Sequence, residues 1–262
     1  MTDILKYEGR RHLRGALALG LLLGVLATFV LTIYPSIEAS GDAIVKFIQQ
    51  LPEQMQATFA VEAYTTVEGF LATEFYQFMW LLLVGLYLIY VGGGAIATDV
   101  ENGRIDLLLA TPVSRRRVIL EKYLALWVPI VVLNLLIPVF VYAGLAIIDE
   151  SIAIRNLLLV HVFSVPYLAL TAAIGLVLSV VVDRADVAKR GGLAVLFALF
   201  VLESVTADTD FEWIGAVSPM RYFDPADVLV DGTPDVVGAA LLCVTAVGLV
   251  VLATALFERK DV

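Results

Sequence analysis

The residues that could do chemistry gather in one stretch, Asp99 to Leu124, which reads DVENGRIDLLLATPVSRRRVILEKYL. It holds Asp99, Glu101, Asp106 and Glu121 together with Arg104, Arg115, Arg116, Arg117 and Lys122. Among these charges lies a short amphipathic piece, Ile105 to Ala110, closed by Thr111-Pro112, and Ser114 follows as a helix-start signal. This mixture suits recognition of another surface better than bond-making. The rest of the chain offers no catalytic set. Its two histidines, His12 and His161, are far apart, Cys243 is alone, and neither G-x-S-x-G nor H-E-x-x-H occurs. No G-x-x-x-x-G-K-[ST] phosphate loop is present, so the chain carries no visible means of hydrolysing ATP. Accordingly no catalytic, cofactor-binding or metal-ligating residue is assigned.

The elements that must position this stretch are membrane helices. Of 262 residues, 60% are apolar and only 16% charged, and several uncharged runs reach the length that crosses a bilayer. The reading is an all-α membrane protein of one domain, residues 1–262, with six spans at about 15–34, 75–97, 123–147, 157–182, 191–207 and 236–257. The first run is too long for the usual signal-peptide core and reads as a retained span. Residues 35–74 form a long outer loop, and 98–122 form the loop that contains the elbow. With both termini on one side, 14 of the 17 Lys and Arg fall on that side and 3 on the other. The positive-inside rule therefore puts both termini and the elbow in the cytoplasm of a plasma-membrane protein. Sixteen of the 26 acidic residues lie on the outer side. A high-salt habitat and chance loop composition both account for that excess, and neither suits nucleic-acid binding, which wants a basic face.

Smaller signals lie along the spans. Residues 1–14 read as an interfacial helix or a charged flank. Gly20 and Gly24 share a face and would permit close helix approach. In the outer loop Ile44, Phe47, Ile48 and Leu51 make one helical face, with Pro52, Met55 and Phe59 opening a second piece. Gly92-Gly93-Gly94 is either a hinge or a packing surface. Pro129 and Pro138 each remove a backbone donor and tend to kink the third span. Asn134 is expected to hydrogen-bond a neighbouring helix, and His161 to be a satisfied histidine rather than a ligand. Ser218 to Pro225 suggests a structured or partly re-entrant outer segment. No Asp, Glu, Lys or Arg stands near the middle of any span, so no intramembrane proton or ion relay is visible.

The run Glu101 to Arg117 resembles the loop after the second span in permease subunits of type 2 ABC transporters. Ser218-Pro219 through Asp224-Pro225 and the terminal Phe-Glu-Arg-Lys-Asp agree with it. Asp106 stands where relatives often have Glu. The resemblance implies a short cytoplasmic coupling helix between spans 2 and 3, seated in a separate ABC ATPase subunit. The contact would then use Glu101, Gly103, Arg104, Ile105, Leu107, Leu108, Leu109, Thr111, Pro112, Arg115 and Arg116. It also implies a second permease copy, as a homodimer or related heterodimer, with ATP and Mg held by the partner subunit and no cofactor in this chain. Export of an amphipathic solute is one expectation. A membrane anchor or maturation factor that uses the ATPase without moving a solute is the alternative, and a self-contained membrane enzyme lacks the residues it would need.

Overall fold

The structure, a computed structural model, describes residues 3–40, 66–207 and 209–260. Among these residues it is all helix, turn and loop, with no strand. Helix α1 is Asp3–Glu38, and the charged N-terminal flank continues directly into the first span. The second rod, α2 (67–93), begins as α-helix at Val67–Leu71, where the Thr66 hydroxyl accepts the Gly69 N–H at 3.2 Å. It continues as π-helix over Ala72–Val84 and returns to α-helix at Gly85–Gly93. The elbow comprises α3, Ala97–Glu101, and α4, Arg104–Leu109. Next come α5, Arg115–Ala125, and α6, Trp127–Ile147. Then follow α7, Ile154–Val181, and α8, Ala185–Thr206. Two short helices, α9 at Glu212–Gly215 and α10 at Pro225–Leu229, flank a 3-10 turn at Pro219–Tyr222, and α11 is Val236–Arg259. The amphipathic pieces expected around Phe47 and Phe59 fall outside the described residues.

Among the described residues, five helical stretches are long and apolar enough to cross a bilayer: Ile4–Glu38, Val67–Glu101, Arg115–Ile147, Ile154–Val181 and Val236–Arg259. The remaining expected span coincides with α8. That helix has 22 residues, but Lys189 and Arg190 near its start and Glu203 near its end leave only 191–202 uncharged. Its place in the bundle is nonetheless clear. The Lys260 ammonium donates to the Val180 carbonyl at 2.6 Å, so α7 and α11 end together. The Asn156 amide donates to the Leu229 carbonyl at 3.0 Å, so α7 starts beside the lead-in to α11. Only α8 is left to carry the chain from one end of the bundle to the other. One end is basic and holds the elbow; the other is acidic and holds α9, α10 and the turns between them.

Helix α7 is the axis, in contact with α2, α6, α8 and α11. Its crossing with α2 is made by glycine. A Cβ on Gly92 would meet the Ala172 carbonyl oxygen at 2.7 Å, and one on Gly175 would meet the Gly93 nitrogen at 2.9 Å. Of the two readings of the glycine triplet, packing is the one its geometry supports. Gly20 likewise faces Leu136, and Gly24 faces Phe140, so the first helix lies close along α6. The break in the third span sits at Leu126, whose N–H bonds the Tyr123 carbonyl in a tight turn, with Pro129 in the first turn of α6. Proline is tolerated there because first-turn N–H groups lack a helical partner. Pro138 lies inside an unbroken α6.

About two turns inside the acidic-end starts of α2 and α7, a polar chain joins three rods. The Tyr76 hydroxyl lies 2.9 Å from His161 Nε2, and His161 Nδ1 lies 3.2 Å from Asn134 Oδ1. Asn134 therefore bonds a neighbouring helix as expected, and both ring nitrogens of His161 have partners. The natural assignment has the tyrosine donating to Nε2 and Nδ1–H donating to the amide oxygen. Trp80 stacks edge-on to the imidazole at 4.8 Å. Burying polar groups in hydrocarbon is costly unless they are paired, and Tyr76, His161 and Asn134 pair with one another, whereas the Trp80 indole N–H, also buried, has no hydrogen-bond partner among the described residues.

Candidate functional site

The elbow takes its shape from a few local rules. Gly103 adopts φ 65°, a left-handed value that other residues rarely take, and so turns the chain out of α3 and into α4. After α4 the Thr111 hydroxyl donates to the Leu108 carbonyl at 2.6 Å, and Pro112 ends the segment. The Ser114 hydroxyl then accepts the Arg117 N–H at 3.3 Å and starts α5. The i, i+4 pair Arg117–Glu121 forms at 2.9 Å.

Each side of the elbow is fastened to a different rod. The Ser179 hydroxyl of α7 accepts the N–H groups of Ile96 and Ala97 at 2.7 and 2.8 Å. Glu101 accepts the Ala185 N–H at 3.2 Å, at the start of α8, where a carboxylate is favoured by the helix dipole. Arg115 donates to the Phe257 carbonyl at 3.1 Å and to the Lys260 carbonyl, which closes the end of α11, and its guanidinium lies over the Phe257 ring. The first rod is reached through charge. Lys122, only 3% exposed, holds Asp99 at 2.6 Å and Glu8 of α1 at 2.9 Å. Arg104 pairs with the other oxygen of Asp99 at 3.0 Å, and Arg11 approaches Glu8 at 3.7 Å.

The sequence-level contact residues thus separate. Leu107 is 73% exposed, and Thr111, Pro112 and Arg116 are exposed beside it. Ile105 is 2% exposed and belongs to the core; Leu108 and Leu109 are half-buried against it. Glu101 and Arg115 point their polar ends at the helix termini just described, and Arg104 at Asp99. Sequence reasoning missed the Glu8–Lys122–Asp99 cluster and Ser179. One signal was available for the first: Lys122 lies among Ile119, Leu120, Tyr123 and Leu124, where an unpaired ammonium would be costly. Ser179 gave none.

What the arrangement offers is a rigidly mounted exposed apolar knob at the basic end of a membrane bundle. Comparison with protein families places it. A profile described as ABC-2 family transporter protein matches residues 3–262. The chain belongs to the ABC-2 transporter family. No curated protein matches it. As an ABC-2 family protein it is a multi-pass membrane component of an ABC transporter, and the five apolar helical stretches are what such a component needs. Family members work with an ATPase subunit and the lipid bilayer, which accords with the lack of any phosphate loop in this sequence.

Proposed function

We propose that this chain is the membrane-spanning half of an ATP-driven exporter, and that α4 is the coupling helix on which a separate ABC ATPase docks. The observation that carries the reading is the exposure of Leu107 on a helix whose neighbours are tied to α1, α7, α8 and α11. A partner pushing on that knob moves four rods at once. Leu107 enters the partner's groove, Arg104, Arg116, Thr111 and Pro112 border it, and Leu108 and Leu109 complete the apolar side. Glu101, Gly103, Ile105 and Arg115 hold the helix in place rather than meet the partner. ATP and Mg bind in the ATPase; this chain contributes movement and a path.

The topology that goes with this reading has α8 as the sixth crossing, both termini and the elbow in the cytoplasm, and the acidic end outside a plasma membrane. A second copy of the chain, or a related permease, completes the path. With no charge at mid-span, the solute is amphipathic or lipid-like rather than a small ion.

The deciding experiment is co-purification of the cognate ATPase with Leu107→Asp. The variant is expected to insert and melt like the parent while losing the ATPase by tenfold or more. Retention of the ATPase sinks the docking assignment. Reconstitution of the intact pair then separates export from a maturation role: export requires ATP-dependent loss of an amphipathic probe from the cytoplasmic leaflet, whereas ATP hydrolysis without any solute movement favours the maturation factor.

A further inference from the structure

Another feature of the basic end takes no part in that docking. Lys6, Arg10 and Arg14 recur every fourth residue of α1, so they stand on one face, and all three are exposed. The opposite face of the same turns carries Glu8, turned inward to Lys122. Among the described residues, the ion pairs of this end use Arg11, Arg104, Arg117, Lys122, Arg184 and Lys260, and none uses Lys6, Arg10 or Arg14. The three cations border a hollow of about 660 Å³. Two of them, Lys6 and Arg10, also form the rim of an adjoining groove of about 580 Å³ between α1 and the α5–α6 rod. Its walls are apolar: Leu5 and Leu13 on one side, Leu124, Trp127, Val128 and Val131 on the other.

We propose that this groove is a binding site for one anionic phospholipid. An acyl chain lies against Trp127 and Val131, and the phosphate sits between Lys6 and Arg10. The two halves of the site require the two halves of such a molecule. Like charges one helical turn apart repel, and an anion between them removes the repulsion. The apolar walls call for hydrocarbon continuous with that anion, which excludes a free phosphate as the natural occupant. A zwitterionic headgroup would bring its own cation toward Lys6 and Arg10. A second copy seated here by two-fold symmetry would set the same basic stripe against itself. Basic residues beside membrane hydrocarbon draw anionic lipid by the same electrostatics.

Trp127 reports the occupant. The protein is reconstituted in phosphatidylcholine vesicles carrying a small fraction of lipid brominated on its acyl chains, either phosphatidylglycerol or phosphatidylcholine. Quenching of tryptophan fluorescence is compared in the parent, Trp127→Phe and the double variant Lys6→Gln/Arg10→Gln. Trp80 is buried and Trp213 is at the acidic end, so the parent-minus-Trp127→Phe difference isolates the groove. The site predicts several-fold stronger Trp127 quenching by the brominated anionic lipid than by the zwitterionic one. That excess vanishes in the double variant, which leaves Glu8 and Lys122 intact, and it survives added glycerol phosphate. Equal quenching by both lipids overturns the proposal. So does an anionic excess that survives the double variant. Absence of quenching by either lipid also overturns it, since the groove is then covered by protein. No ATPase or nucleotide enters the measurement, so its outcome is independent of the docking assignment.

Discussion

Lys122 has the most constrained surroundings of any charged residue described, because it bridges carboxylates on two different elements while almost fully buried. Removing one partner of a buried ion pair typically costs about 3–5 kcal/mol, since a charge is left without compensation. Asp99 keeps Arg104 and Glu8 keeps Arg11, so Lys122→Met should fall at the lower end of that range. Arg104→Gln, on a side chain 45% exposed, should cost no more than about 1 kcal/mol. Thermal melts in detergent test the contrast; equal losses would mean that the cluster is wetter than its geometry implies. At the other end of the bundle, Asp227 has its carboxyl pKa raised above the ordinary value, by desolvation first and then by Asp224, Asp231 and Asp235. The folded state therefore holds its proton more tightly than the unfolded one, and acidification from neutral pH stabilises the acidic end. That contribution is lost as pH rises from the ordinary aspartate value through the raised one. Asp227→Asn should raise the neutral-pH melting temperature and flatten its dependence on pH just above the ordinary aspartate value, an effect that added salt shrinks because the site is largely exposed. An unchanged pH profile would count against it.

At the scale of elements, the elbow owes its position to backbone groups more than to its own apolar residues. One hydroxyl, Ser179, serves two N–H groups at the end of the second rod. Ser179→Ala leaves both buried donors without it, at about 1–3 kcal/mol for each that finds no water. The same change should loosen the elbow, seen as faster hydrogen exchange over residues 96–110, whereas unaltered exchange there would deny the staple its role. The α2–α7 crossing is stricter still, because the atoms opposite Gly175 are backbone and cannot yield. Gly175→Val should lower stability by at least the roughly 1–3 kcal/mol of ordinary overpacking, measured by thermal melt. These features explain what was readable. The end of α4 at Pro112 and the restart at Ser114 were visible because each acts within a few residues. Whether Gly92 to Gly94 formed a hinge or a contact was not, because the answer lies with Ala172 and Gly175, some 80 positions away.

For the whole molecule the test is topological. In a Cys243→Ser background, Asn102→Cys and Thr233→Cys should react with a membrane-impermeant maleimide from opposite faces, the first only when the cytoplasmic side is accessible. Labelling of both from one face would remove α8 as a crossing. The sequence by itself determined the all-helical class, the five long apolar stretches, the charge asymmetry of the two ends and the elbow. It could do so because lipid obliges each crossing segment to satisfy its own backbone, so the signal is local and needs no partner. Helix α8 was the weakest candidate, because flanking charges shorten its apolar run, and its direction follows only from where α7 and α11 begin and end. Tertiary structure alone decided which charges are buried together, which leucine of α4 stands in the open and which face of α1 is left basic. Those outcomes depend on pairs such as Glu8 with Lys122 and Arg115 with Phe257, more than a hundred residues apart, and periodicity along a chain carries no information about what will lie opposite.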